Sequence, residues 1–171
     1  MSAPEPESEL RRIGLGLGAN LGDREGSLRR AVTMLGRAGL IFDALSSLYA
    51  TKPWGVVDQP DFINACALAR TTLAPPALLD LVKATERSLG RQETGRWGPR
   101  IIDIDLLFYE DWSWRDDNLI LPHPGVLERA FVLAPLAEIA PDLAIAGQGV
   151  AEAAATIERN GITRVSSFWA K

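Results

Sequence analysis

From Arg96 to Asp105 the chain reads Arg-Trp-Gly-Pro-Arg-Ile-Ile-Asp-Ile-Asp, a basic and aromatic turn running straight into two carboxylates. In an alternating strand Asp103 and Asp105 leave the backbone on the same face, about 6–7 Å apart at roughly 3.3 Å per residue. Like charges so placed repel unless a cation sits between them. A hard divalent ion such as Mg²⁺ suits that gap, because it takes carboxylate oxygens and shares its remaining positions with phosphates. Arg87, Arg91, Arg96 and Arg100 crowd the same stretch of a chain whose net charge is −4, which is the footprint of a confined anion site. The wet side of an ordinary strand would look similar, with Ile102, Ile104, Leu106 and Phe108 facing the core. Asp is depleted in strands, however, so a strand that carries two on one face beside arginines reads as shaped by a ligand. The expected ligand is a metal-bound polyphosphate.

Other residues carry chemistry on the same pattern. Phe62 and Asn64 are two apart on an expected strand, which places an aromatic plate beside an amide able to read a ring's donors and acceptors. His123 stands between prolines in Leu121-Pro122-His123-Pro124, a stiff extended segment. Arg129 and Phe131 are also two apart, and in an extended segment both could aim at one cavity. Glu86 falls in the last turn of an expected helix near Arg87 and Arg91, where a solvated ion pair reads as well as a ligand contact. The run Gly14 to Ala19 matches G-x-G-x-x-A, but a dinucleotide fingerprint needs an apolar strand before the glycines and a helix starting within them. Only Ile13 precedes Gly14, after Arg11 and Arg12, so the match is a decoy. No G-x-x-x-x-G-K-[ST] loop is present, which excludes a P-loop.

The elements that must position these groups follow from periodicity. Ile13 to Gly18 reads as a strand with leucines on one face and glycines on the other, a face that something can approach closely. Asp23 is an N-cap candidate for a helix with the stripe Leu28, Ala31, Val32 and Leu35, ending near Gly36 or Gly39. Leu40 to Tyr49 and Phe62 to Thr72 read as strands, separated by a Pro-rich loop over Lys52 to Pro60. A helix opens at Pro75 or Pro76 and closes at Gly90, ahead of the arginine-rich loop and the Asp103 strand. Beyond a polar linker (Asp111 to Asn118) and a short segment, Leu119 to Pro122, helices are expected around Val126 to Leu136 and over Val150 to Arg159. The order strand, helix, strand, strand, helix, strand is the βαββαβ pattern, so the expected class is α+β, ferredoxin-like, an antiparallel sheet covered by helices.

At 171 residues, with 47% hydrophobic and 23% charged, the chain has the composition of an ordinary globular domain. Residues 1–11, acidic and Pro-rich, are expected to be a disordered tail, and residues 12–171 a single domain. That tail fits neither a signal nor a transit peptide, and no apolar run approaches a membrane span. The single cysteine, Cys66, excludes an internal disulfide and points to a reducing, cytoplasmic setting. The acidic net charge argues against nucleic-acid binding, and a monomer is expected.

Taken together, Asn20-Leu21-Gly22-Asp23, Asp58 to Asn64, Arg96 to Arg100 with Asp103 and Asp105, Pro122-His123 and Arg129-Ala130-Phe131 resemble the 6-hydroxymethyl-7,8-dihydropterin pyrophosphokinase family. The resemblance covers about residues 13–145. It implies a ferredoxin-like enzyme that moves the β,γ-diphosphate of ATP to the pterin's hydroxymethyl oxygen and releases AMP, in folate biosynthesis. It further implies two Mg²⁺ ions on Asp103 and Asp105, with ATP as co-substrate. The pterin would lie between Phe62 and Phe131, its edge read by Asn64 and by Thr51, Lys52, Trp54 and Gly55. ATP would meet Glu86, Arg91, Trp97, Arg100, Leu106, Ile120, His123 and Arg129, with Arg91, Arg100 and Asp105 in catalytic roles. The chain departs from the family pattern at Ala19, Lys52, Trp54 and Pro124, and its Gln92 to Gly95 stretch is about one residue short. A non-catalytic ferredoxin-like ligand-binding module, or another Mg²⁺-dependent phosphotransferase, remains an alternative. A phosphotransferase or nuclease that did not handle a flat ring would have no use for Phe62, Asn64 and Phe131.

Overall fold

A computed structural model describes residues 9–53, 58–92 and 98–170. Its frame is a sheet in the order β10-β3-β4-β1-β5, built from β1 (Arg11–Ala19), β3 (Leu48–Thr51), β4 (Phe62–Thr71), β5 (Asp103–Tyr109) and β10 (Ile162–Ser166), with β2 (Ile41–Leu45) also pairing β4. Every pairing is antiparallel. With α1 (Arg24–Arg37) and α2 (Pro75–Ser88) between the strands, this is the expected α+β, ferredoxin-like arrangement. β1 already includes Arg11, which the sequence reading left in the tail. Arg11 pairs with Thr71, ion-pairs with Glu9 and lies 4.9 Å from the Trp112 ring centre, contacts no local pattern announces. Residues 1–8 of that tail lie outside the described residues.

The period of two sorts the sheet into a structural and a functional face. Ile13, Leu15 and Leu17 of β1, with Ile63, Ala65 and Ala67 of β4, pack on Leu28, Val32, Leu35, Leu78 and Val82 of α1 and α2. Each fully buried leucine, isoleucine or valine there contributes about 1.5–3 kcal/mol of burial. The Asp23 carboxylate caps α1 by accepting the Gly26 amide at 3.0 Å, and Pro75 starts α2. Gly90, at φ +94, reverses the chain after α2 in a conformation that an L side chain resists.

On the opposite face α3 (Ala130–Ile139) packs over β4, with Cys66, Leu68, Leu107, Phe108, Val132, Leu133 and Leu136 in a second core. α4 (Val150–Thr156) joins that core through Val150, Ala153 and Ala154. Short hairpins, β6 (Trp114–Arg115) with β7 (Ile120–Leu121) and β8 (Ala144–Ile145) with β9 (Gln148–Gly149), complete the chain. No helix among the described residues is long and apolar enough to cross a membrane.

Three expectations differ from the structure. The strand expected over Leu40 to Tyr49 breaks at Ser46-Ser47 into β2 and β3, which pair successive stretches of β4. There the Cys66 amide donates to Ser46 Oγ at 2.9 Å while the Ser46 amide donates to Cys66 O at 2.9 Å, so a side chain takes over part of the backbone ladder. The helix expected from Val126 begins only at Ala130, because residues 124–128 form turns and Arg129 is extended at φ −110, ψ 114. The last helix stops at Thr156, and after it the chain adds the edge strand β10.

The glycine face of β1 is partly filled by the protein itself. A register shift in β5 between the partners of Gly14 and Leu15 turns both Leu107 and Phe108 to this face, and the Phe108 ring lies where a side chain at 14 would stand. Gly14→Ala should therefore cost about 1–3 kcal/mol in urea unfolding, through overpacking. Adding Phe108→Leu should recover part of that loss, and a neutral single substitution would contradict the packing.

Candidate active site

On the functional face, one row across β4, β1 and β5 reads Asn64, Gly18, Asp103, and the next reads Cys66, Gly16, Asp105. Two strand spacings of about 4.8 Å separate the β4 side of each row, Asn64 or Cys66, from its carboxylate side. The bare middle strand leaves this gap open. Over it lies a cavity of about 480 Å³ lined by Gly16, Gly18, Thr51, Lys52, Phe62, Asn64, Arg100, Asp103, Asp105, His123, Arg129 and Phe131, among others. The side chains read from the sequence as phosphate, metal and ring contacts thus converge from β3, β4, β5, the turn before β5 and the segment leading into α3.

At the polar end, Arg91 Nη1 donates to Asp103 Oδ1 at 3.0 Å, and Arg100 Nη1 reaches the same oxygen at 3.3 Å. Asp105 accepts no hydrogen bond among the described residues. Burial and the Asp103 charge push its carboxyl up to about 7, against the pull of Arg129. His123 Nδ1 accepts the Gly125 amide at 3.0 Å, which leaves the proton of the neutral ring on Nε2. Burial and the nearby Arg129 charge lower its pKa, while Asp103 opposes them. His123 therefore presents an N–H donor to the cavity without carrying charge.

At the apolar end, Phe62 and Phe131 both line the cavity, and the Arg129 guanidinium lies 5.9 Å from the Phe131 ring centre. Asn64, 8% exposed, donates from Nδ2 to Thr51 Oγ1 at 2.7 Å. Its Oδ1 lies 2.6 Å from where a Cβ on residue 18 would be, so glycine there admits the amide.

Besides Arg91, which is absent from the cavity lining and meets it through Asp103, three residues named from the sequence stand away from the cavity. Glu86, only 1% exposed, accepts the Ile104 amide at 3.0 Å at the edge of β5 and also accepts from Arg91. Lys83 Nζ stands 3.3 Å from its other oxygen. Glu86 thus satisfies a strand edge and reaches the site through Arg91. The Leu106 side chain points into the α1–α2 core, leaving only its backbone toward the functional face. Ile120 is half-buried on β7. Trp54, Gly55, Arg96 and Trp97 lie outside the described residues.

The sequence reading missed two features. Glu128 lines the cavity next to Arg129, with no spacing to announce it, whereas Cys66 simply continues the alternation of Phe62 and Asn64. Asn20, 1% exposed, ties three segments together. Its backbone and Oδ1 pair with the Arg100 backbone at 2.9 and 2.8 Å, while Nδ2 donates to Gln59 Oε1 at 2.8 Å and Pro60 O at 3.1 Å. It therefore sets where Arg100 leaves the backbone relative to Phe62.

The hard carboxylates of Asp103 and Asp105, one of them without a hydrogen-bond donor, fit a divalent ion. Such an ion takes one or two carboxylates and completes its shell with phosphate and water. The raised Asp105 carboxyl also predicts a pH effect. Its folded pKa lies above the unfolded value of about 4, so its stability contribution is fully present below pH 4 and is lost as pH rises through about 7. Asp105→Asn should accordingly raise metal-free stability by on the order of 2 kcal/mol at pH 8, allowing for screening at a half-buried site, and by little at pH 4. Equal shifts in Tm at the two pH values would contradict this.

A family model described as 7,8-dihydro-6-hydroxymethylpterin-pyrophosphokinase (HPPK) matches residues 14–141. The 2-amino-4-hydroxy-6-hydroxymethyldihydropteridine pyrophosphokinase of Methylorubrum extorquens is 49% identical over 91% of this chain and 99% of its own length. The Bacillus subtilis protein of the same name is 45% identical over 73% of this chain and 75% of its own. A mitochondrial folate synthesis bifunctional protein of Arabidopsis thaliana is 41% identical over 79% of this chain, which spans 24% of that longer protein. A crystal structure of Plasmodium falciparum HPPK-DHPS with pteroate superposes with a TM-score of 0.70 over 88% of this chain and 41% of that one, and at 15% identity it speaks for the fold alone.

Proposed function

We infer the role of each side chain from one premise: the chain belongs to the 7,8-dihydro-6-hydroxymethylpterin-pyrophosphokinase family. It is an ATP-dependent diphosphotransferase of folate biosynthesis. The β,γ-diphosphate of ATP passes to the hydroxymethyl oxygen of the dihydropterin, and AMP leaves. The observation that carries the assignment of residues is the shared row of Asn64, Gly18 and Asp103, which sets a ring-reading amide and a carboxylate across an open glycine in one cavity.

In this reading the pterin lies between Phe62 and Phe131, where ring stacking fixes its plane. Asn64 reads its polar edge beside Thr51 and Lys52, with Trp54 and Gly55 proposed as further contacts. Bound by Asp103 and Asp105, two Mg²⁺ ions would neutralise the triphosphate and lower the pKa of the attacking alcohol. Arg91 and Arg100 stand at Asp103 to meet phosphate oxygens as negative charge spreads in the loose transition state. Arg129 and the His123 Nε2–H supply further phosphate donors, and Glu86 positions Arg91. Trp97, Ile120 and the Leu106 backbone complete the nucleotide contacts. Asp105 is the carboxylate proposed to take the alcohol's proton.

We further propose that the protein acts as a monomer. The free, buried Cys66 suits a reducing cytoplasm.

In ³¹P NMR, ATP, Mg²⁺ and 6-hydroxymethyl-7,8-dihydropterin should yield AMP and a pterin diphosphate. Appearance of ADP would contradict transfer of the diphosphate. Asp103→Ala should reduce turnover by at least about 10³-fold with Tm changed by only a few degrees, since positioning and charge neutralisation supply most of the rate. Retained turnover would remove Asp103 from the mechanism.

A further inference from the structure

Phe131 packs on the second core over part of its surface, but it also lines two cavities. The 480 Å³ cavity lies on one side of it, and a second cavity of about 330 Å³ lies between the end of β3 and the start of α3, lined by Thr51, Lys52, Glu128 and Phe131. Packing therefore leaves the spacing between Phe131 and Thr51 loosely set at this end. Pro135 adds to the problem, because it cannot donate to the Phe131 carbonyl and leaves the first turn of α3 dependent on how the helix is seated.

The other end of the same contact is tightly bonded. Glu138 Oε1 accepts Ser47 Oγ at 2.6 Å and the Ser47 amide at 2.9 Å, while Oε2 accepts Tyr49 OH at 2.8 Å. Arg164 of β10 donates from Nε to Ser47 Oγ at 2.8 Å, which ties the edge strand into the same knot. Burial pushes the Glu138 carboxyl up, but the Ser47 hydroxyl and amide and the Tyr49 hydroxyl outweigh it and hold the pKa below its ordinary value, so the acceptor stays charged at neutral pH.

Glu138 and Phe131 are seven positions apart, two helical turns, so they share one face of α3, about 10 Å apart along its axis. Ser47 and Thr51 lie about 13 Å apart along the strand they flank. Helix and strand thus run side by side, with Glu138 on Ser47 at one end and Phe131 near Thr51 at the other. Thr51 in turn holds Asn64, and it pairs with Phe62.

We propose that Glu138 is a positioning residue for the pterin slot, clamping α3 to β3 so that Phe131 stands at the right distance from Phe62 and Asn64. The inference rests on the ring-binding reading above. The clamp acts chiefly on the ring end of the cavity: Asp103, Asp105 and Arg100 stand on β5 and the turn before it, and of the proposed phosphate contacts only Arg129, next to Phe131, adjoins α3.

Steady-state kinetics of the full chain separate this role from general support of the fold. Glu138→Ala should raise the KM for the dihydropterin about tenfold, while the KM for ATP, felt only through Arg129, rises no more than about threefold. Glu138→Gln, which keeps an acceptor for Ser47, should recover most of that loss. If Glu138→Ala does not fold, Tyr49→Phe, which removes one bond of the knot, should show the same selective rise at about threefold. Parallel rises in both KM values, or a lowered Tm with the pterin KM unchanged in these variants, would reduce Glu138 to a structural tie and overturn the proposal. Wild-type turnover in the same assay reports on the functional reading separately, and a wild type that releases no AMP would overturn both.

Discussion

The site depends on two like charges held on one face of β5 beside a middle strand without side chains. Asp103 and Asp105 cannot separate, because the alternation of the strand that buries Ile104 and Leu106 aims both at the cavity. Arg91 and Arg100 both engage Asp103, and at Asp105 burial and repulsion outweigh the pull of Arg129. The site is therefore electrostatically incomplete, and in the proposed reading a divalent ion carrying phosphates would complete it. Gly16 and Gly18 leave the space in which, on that reading, the ion's cargo would meet a ring read by Asn64.

The fold meets this local cost by dividing its labour. Leucines of β1 and alanines of β4 pack against α1 and α2 on one face, where the apolar core lies, and that core makes no demand on the cavity. Glu86 links the two faces. Buried in the last turn of α2, it satisfies the Ile104 amide at the exposed edge of β5 and holds Arg91 toward Asp103. Asn20 performs the corresponding task at the end of β1, with bonds to the segments that lead to Phe62 and to Arg100.

Much of this was legible in the sequence because it is local. The Asp103–Asp105 alternation, the Phe62–Asn64 pair, the Asp23 cap and the order of elements depend on neighbours two to four residues away, and each stands where periodicity put it. Features decided by distant partners were not legible. The break at Ser46-Ser47 answers to Cys66 and Glu138, and the late start of α3 to an extended Arg129. The edge strand β10 exists because β3 offers it a ladder. The glycine face of β1 was read correctly as a place of close approach, but Phe108, brought there by a bulge that no sequence pattern marks, occupies part of it. Glu86 shows the limit most plainly, since its spacing on α2 cannot tell a ligand contact from an arginine held through a buried carboxylate.

The central claim is that Asp103 and Asp105 form one cation site that nucleotide completes. Electron paramagnetic resonance of Mn²⁺ titrated into the protein with a non-hydrolysable ATP analogue tests it most directly. The account predicts that Mn²⁺ binds weakly without nucleotide and that about two ions are taken up with it. Uptake should fall in Asp105→Asn although the fold is retained. Equal uptake by the wild type and Asp105→Asn would contradict the account.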